Sequence, residues 1–258
     1  MARQIALAAL TCIELAPPDL VSAAAAAGYD GVGFRLIPVA GQTLPAFEPR
    51  EIQARLADTD LAVMDVEIFR LEPGTRIADF EPVMALAARL RASDLLVHGA
   101  DPEEARLTES FGALCDLAAR YGLAANLEPM PWVSISTVAK ARRILDGARR
   151  GNGALLVDPI HFFRAENAFG DLKGLPTRYA QFCDAHPGRP AEMTEVIRQA
   201  RGDRLLPGEG ALDLRGLLRA LPDDLLLSLE IPMAKNVEPF ERVRLALEAT
   251  RNFLAQAE

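Results

Sequence analysis

The sequence contains few cysteines, and their arrangement argues against two classes of protein. Cys12, Cys115 and Cys183 are the only three among 258 residues, and no CxxC pair occurs. An odd number of widely separated cysteines argues against a disulfide framework and against a structural zinc site, and it is typical of a reducing compartment. We therefore expect a cytoplasmic protein.

A long apolar run and a leader segment are also missing. The run from Val21 to Ala27 is far shorter than the roughly 20 apolar residues that a membrane-spanning helix needs. The first four residues lead straight into a strand-like segment, and they lack the basic stretch, apolar core and cleavage site of a signal peptide. These observations predict a protein without a membrane partner.

Positive charge is in the minority. The net charge is -8 and the isoelectric point is about 5.1. An acidic surface repels phosphate backbones and anionic lipids, so we expect neither nucleic acid nor a membrane as a partner. The expected partner is a small-molecule substrate, and a homodimer is left open.

The pattern that is present is an alternation of short apolar runs, rich in Val, Ile and Leu, with longer amphipathic runs. Such an alternation predicts βα units and a parallel sheet. Strands are predicted at Ile5–Leu10, Gly31–Leu36, Ala62–Phe69, Asp94–His98, Ala124–Pro129, Ala154–Asp158, Tyr179–Asp184 and Leu225–Ile231. Helices are predicted to follow the strands, with stated bounds at Pro17–Gly28, Arg50–Asp58, Asp79–Arg91, Pro102–Arg120, Thr137–Ala148, Ala191–Gln199, Leu214–Leu221 and Val237–Ala257.

Eight strand–helix units in this length favour a single-domain (β/α)8 barrel over residues 1–258, an α/β fold of the TIM-barrel type. A doubly wound open sheet is the alternative, and it would place a glycine-rich turn after the first strand. That turn reads Thr11-Cys12-Ile13-Glu14 and contains no glycine. No linker divides the chain, so one barrel is the preferred interpretation.

Charged residues fall at the ends of several predicted strands, where barrel enzymes carry their active sites. Glu128, Asp158 and Glu230 end the fifth, sixth and eighth strands. Three carboxylates that converge in a buried position need a compensating cation, and their hard oxygen atoms favour Mg, Mn or Ca. Two other interpretations stay open, because acids at strand ends can cap the next helix and because arginines could pair with them. The available arginines are Arg35, Arg70 and Arg164.

Short segments in this order resemble the xylose isomerase-like barrel superfamily, which includes sugar epimerases, isomerases and dehydratases. The segments are Leu127-Glu128-Pro129, Val157-Asp158-Pro159-Ile160-His161, Gln181-Phe182-Cys183-Asp184, Leu206-Pro207-Gly208-Glu209-Gly210 and Leu229-Glu230-Ile231. The resemblance implies one divalent metal on Glu128, Asp158 and Glu230. Such proteins often have a histidine where this chain has Gln181, whose amide oxygen can also bind a metal; Asp184 is the alternative fourth ligand. Mn or Mg is expected, with Zn or Co left open.

The resemblance also implies roles for other residues. Glu128 and Glu230 are predicted to transfer protons next to a substrate carbonyl, and His161 is predicted to act with them in catalysis by contacting the substrate. Side chains at or near the barrel mouth are predicted to bind the substrate, and Arg forks fit a carboxylate or phosphate. These residues are Arg35, Glu67, His98, Trp132, Arg189 and Arg204.

Three functions remain open at the level of sequence. The first is a metal-dependent isomerase or epimerase that acts on a small sugar, inosose or hydroxy-keto acid. The second is a lyase or dehydratase that uses the same metal and base. The third is a barrel that has lost catalysis and serves as a binding subunit, an alternative that Gln181 keeps open.

Overall fold

Eight parallel strands close into a barrel in which each strand pairs with its sequence neighbours. The computed structural model describes residues 3–39, 41–234 and 236–256. The eighth strand pairs with the first, with Ile5 opposite Leu227 and Leu7 opposite Leu229, and this pairing closes the sheet. The strands are β1 Ile5–Leu7, β2 Gly31–Arg35, β3 Ala62–Leu71, β4 Asp94–Gly99, β5 Ala124–Glu128, β6 Gly153–Val157, β7 Thr177–Phe182 and β8 Leu226–Leu229. The predicted (β/α)8 barrel is therefore confirmed.

Nine α-helices within the described residues surround the barrel. They are α1 Pro17–Ala27, α2 Pro49–Ala57, α3 Glu81–Arg89, α4 Glu104–Ala119, α5 Val138–Ala148, α6 Pro159–Arg164, α7 Met193–Gly202, α8 Leu214–Ala220 and α9 Pro239–Ala255. Helix α1 begins and ends as predicted, because Pro17 and Pro18 open it and Gly28, with a φ of 87°, closes it. Ala257, the predicted end of the last helix, lies outside the described residues. No helix in the described ranges is both long enough and apolar enough to cross a membrane.

The first strand departs from the predicted elements in a way that the structure explains. Strand β1 ends at Leu7, and residues Ala9–Cys12 form a 3-10 helix where the prediction extends the strand to Leu10. The Thr11 hydroxyl donates a hydrogen bond to the carbonyl of Leu229 and accepts one from the amide of Ile231. The hydroxyl of Thr11 thus makes hydrogen bonds to the end of β8 at a point where the backbone of β1 no longer pairs with it.

The apolar core is divided by the sheet. The larger part lies between the outer face of the strands and the helices, and a smaller cluster fills the barrel interior. Leu96, Leu156 and Tyr179 belong to the interior cluster and lie in the strands whose ends carry the polar residues described below. Because this interior is filled, the polar groups at the carboxyl ends of the strands rest on a packed floor.

Candidate active site

Three carboxylates meet at the carboxyl ends of the strands. Glu128 is the last residue of β5, and Asp158 and Glu230 directly follow β6 and β8. All three are buried, with at most 4% of each residue exposed. Oxygen atoms of Glu128 and Asp158 and a ring nitrogen of His161 lie within 4.8 Å of one another. Glu128 and Asp158 thus lie close together, while Glu230 is connected to Asp158 through Arg204.

Arg204 lies between two of these carboxylates. Its Nη1 is 2.6 Å from Oδ2 of Asp158, and its Nη2 is 2.6 Å from Oε2 of Glu230. The residue is 2% exposed, and its Nε donates to the carbonyl of Ala200. Burial alone would lower the pKa of Arg204, but Asp158 and Glu230 outweigh burial and raise it. Arg204 thus supplies a permanent positive charge inside the site, which is more specific than the substrate-anchoring role predicted for it.

Gln181 points into the barrel, as the alternation along β7 predicts. Its Nε2 donates to Oε1 of Glu230 at 2.8 Å, while its own Oε1 is buried without a hydrogen-bond partner in the described residues. Asp184 has a different task. Its two carboxylate oxygens accept hydrogen bonds from backbone amides of the loop that follows β7, at Ala185, Gly208, Gly210 and Leu212. The geometry therefore favours Gln181 over Asp184 as a fourth ligand.

Two histidines flank Glu128. The Nε2 of His98 is 2.7 Å from Oε2 of Glu128, and the Nε2 of His161 is 3.7 Å from Oε1. Burial lowers the pKa of both histidines to about 3, so both are neutral at physiological pH. The ring of Trp132 packs edge-on against His161, with 4.9 Å between the ring centroids.

Further arginines line the same cavity as the carboxylates. Arg35 and Glu67 are buried, with 2.8 Å between Nη2 and Oε1, and Nε of Arg35 has no hydrogen-bond partner among the described residues. Arg70 and Arg201 lie nearer the surface and line the same cavity, which has a volume of about 730 Å³. All three guanidinium groups lie close enough to His98 to depress its pKa. The cavity is thus lined by both carboxylates and guanidinium groups, and Arg70 pairs with Glu72, which also lines it.

The other predicted substrate-binding residues divide into two groups. Arg35, Glu67, His98, Trp132 and Arg204 all line this cavity. Arg189 is not among its lining residues, and its half-exposed side chain lies 3.9 Å from Glu166. The geometry thus gives no support to a substrate contact by Arg189, which stays a prediction. The sequence analysis missed Arg201, since nothing in the pattern of α7 marks its last turn as facing the cavity.

The charges in the site fit a divalent metal ion. Among the buried side chains of the site, four carboxylates (Glu67, Glu128, Asp158 and Glu230) face two guanidinium groups (Arg35 and Arg204), so that with all four acids ionised and both histidines neutral the negative charges exceed the positive ones by two. Burial and the nearby carboxylate of Asp158 raise the pKa of Glu128, which is the response of an acid that lacks a cation. The buried, unpartnered oxygen of Gln181 is a further potential ligand atom. The residues present therefore suit one ion with oxygen ligands.

Comparison with known proteins identifies the family to which the chain belongs. Residues 21–254 match the family described as xylose isomerase-like TIM barrel. Two curated 3-dehydroshikimate dehydratases, from Pseudomonas aeruginosa and Pseudomonas putida, are 26% and 25% identical to this chain over 78% of its length. The chain spans about a third of the length of these relatives.

Solved structures share the fold. A xylose isomerase-like TIM barrel/4-hydroxyphenylpyruvate dioxygenase fusion protein is 22% identical, with a TM-score of 0.84 over all of this chain and 43% of its own. The IOLI protein, whose structure holds a zinc atom, is 18% identical, with a TM-score of 0.80 and 99% of both chains covered. A D-allulose 3-epimerase from Methylomonas sp. is 17% identical, with a TM-score of 0.72 and complete coverage of both chains.

Proposed function

We propose, on the premise that the chain belongs to the xylose isomerase-like TIM barrel family, that it is a metal-dependent lyase that removes water from a small cyclic keto acid. Its curated relatives are named for such a reaction, the dehydration of 3-dehydroshikimate. Because the match covers only about a third of each relative, the proposal concerns the chemistry of this barrel alone.

The observation that carries the proposal is the presence of arginines in the cavity lining beside Glu128 and Glu230. Arg35 pairs with Glu67 and Arg70 pairs with Glu72, whereas Arg201 forms no ion pair among the described residues. A neutral sugar offers nothing that would need this guanidinium group, whereas a substrate carboxylate matches its geometry and charge. A substrate with a carboxylate for Arg201 and oxygens for a metal held by Glu128 and Glu230 fits this lining.

The residues that would hold the metal are Glu128, Asp158, Gln181 and Glu230. When bound, a divalent ion would polarise the substrate carbonyl and make the adjacent carbon more acidic. The reaction then requires a base to take a proton from that carbon while a hydroxyl leaves the next carbon with a proton, so that water is lost and a double bond forms.

Proton transfer is assigned to residues that line the cavity. Glu128 is the preferred base, because burial and Asp158 raise its pKa, whereas burial lowers the pKa of His161 to about 3 and makes it a poor proton acceptor at neutral pH. His161 is therefore assigned a contact with the substrate. In Glu230 one oxygen accepts from Gln181 and the other pairs with Arg204, so Glu128 is better placed than Glu230 to take the substrate's proton.

The test is a product assay on the purified chain with Mn²⁺. Incubation with 3-dehydroshikimate should yield 3,4-dihydroxybenzoate, detected by its aromatic absorbance, and Glu128→Gln should abolish the reaction. Glu109→Gln, on the exposed face of α4, is the matched control and should retain it. Epimerisation of a neutral ketohexose, with no dehydration of the acid, would overturn the proposal in favour of an epimerase.

A further inference from the structure

We infer that His98 is a positioning residue, whose task is to hold Glu128 in the orientation that presents Oε1 to the metal. This inference rests on the proposed function, since it takes Glu128 as a metal ligand. It replaces the predicted role of His98 as a substrate-binding residue with an action through another side chain.

The two residues are neighbours across the sheet. His98 lies in β4 directly opposite Glu128 in β5, and both side chains point toward the barrel mouth. The separation of 2.7 Å between Nε2 and Oε2 is that of a strong hydrogen bond. When Glu128 is ionised, as a metal ligand must be, it only accepts hydrogen bonds, so the proton of the imidazole then lies on Nε2 and its Nδ1 is bare. The contact thereby determines the tautomer of His98.

Glu128 depends on this contact more than the other carboxylates depend on any one of theirs. Asp158 accepts from Arg204 with one oxygen and from the amide of Ile160 with the other. Glu230 is held by Gln181 and Arg204. For Glu128, His98 is the one hydrogen-bond donor within the described ranges.

The free oxygen of Glu128 is also the one that faces the cluster. Its Oε1 is 3.7 Å from Nε2 of His161, which itself is 3.8 Å from Oδ2 of Asp158. With Oε2 occupied by His98, only Oε1 is available to a cation in the cluster. Loss of the donor would let the carboxylate rotate and would leave a buried acid without a partner.

Metal binding without substrate tests this inference. Mn²⁺ titration of the metal-free protein, followed by calorimetry, should show affinity about 10–100-fold weaker in His98→Leu than in the wild type. His98→Gln should stay within a few-fold of the wild type, because its amide can reach Glu128 from the same position. His98→Asn, one methylene shorter, should fall with His98→Leu, and this pair carries the test if the leucine variant does not fold.

A control variant separates a specific effect from general damage to the barrel. Asn126→Leu removes a buried polar side chain of β5 that donates a hydrogen bond to Asp94 and none to Glu128. This variant should leave the Mn²⁺ affinity unchanged. Equal affinities in the leucine, asparagine and glutamine variants of His98 would overturn the inference while leaving the metal site intact. A wild type that binds no Mn²⁺ would overturn both the inference and the proposed function.

Discussion

Replacement of Arg204 by methionine should lower the free energy of unfolding by more than the loss of any exposed ion pair of the protein would. Both partners of Arg204 are buried, and each lies 2.6 Å from the guanidinium group. Breaking a buried pair by removing one partner costs about 3–5 kcal/mol, because the remaining charge is left uncompensated. Arg204→Met leaves two such carboxylates, so we expect a loss of at least about 3 kcal/mol in the free energy of unfolding.

The assay is denaturant unfolding in EDTA, with Arg143→Met as the matched control. Arg143 pairs with Glu104 on the surface, where both side chains are about half exposed, and the expected loss there is about 0–1 kcal/mol. Adding Mn²⁺ should narrow the gap between Arg204→Met and the wild type, because the ion replaces the missing positive charge. A loss for Arg204→Met no larger than that for Arg143→Met would refute the electrostatic account of the site.

Three further predictions concern single residues. Gln181→His should raise the affinity for Co²⁺ or Zn²⁺, since imidazole suits these ions. Asp184→Asn should lower the melting temperature, because the Asp184 oxygens bind loop amides, but it should leave the visible spectrum of a Co²⁺ titration unchanged. The reverse pattern would make Asp184 the ligand. Burial, with Glu67 nearby, raises the pKa of Asp65, so the stability that Asp65 contributes is complete below its ordinary pKa of 3.8 and is lost as the pH rises through the raised value. Asp65→Asn should therefore become more stable relative to the wild type as the pH rises. A pH-independent difference in unfolding free energy between the two proteins would contradict this. Arg201→Gln should raise KM for the acidic substrate with little change in kcat, whereas Arg89→Gln on the outer face of α3 should change neither constant. An unchanged KM for Arg201→Gln would exclude Arg201 as the residue that binds the substrate carboxylate.

The buried acids at the strand ends could be found in the sequence because strand patterning carries strong information about them. Glu128 and Glu230 end apolar strands and are followed within two residues by proline, so a buried position was predictable from local pattern alone. The period of two along β7 likewise placed Gln181 inside the barrel and Asp184 outside it. These inferences needed only the strand order and the rule that barrel sites form at the carboxyl ends.

The position of Arg204 was beyond local pattern. It follows α7, 46 residues after Asp158 and 26 residues before Glu230, and its place between them depends on how the segment around it folds. That segment is held by Asp184, which pairs with Leu205 through its backbone and accepts hydrogen bonds from the amides of Gly208, Gly210 and Leu212 with its carboxylate. Long-range hydrogen bonds of this kind have no periodic signature, and the same holds for the contact of His98 with Glu128.

The end of β1 shows the same limit on a smaller scale. The apolar residues up to Leu10 favour a longer strand, but Thr11 bonds to β8 through its hydroxyl and turns the chain into a 3-10 helix. A local preference was overridden by a partner more than 200 residues away. A long-range contact also accompanies the start of the short helix after β6. Asp158 caps the first turn of that helix while also pairing with Arg204.

The metal content of the purified chain tests the central claim most directly. After dialysis against a buffer with Mg, Mn, Co and Zn, elemental analysis should find about one divalent ion per chain in the wild type, as a single site with oxygen ligands predicts. Glu128→Gln should bind much less, and Glu109→Gln should bind as much as the wild type. A wild-type chain without bound metal at saturating Mn²⁺ would contradict the account.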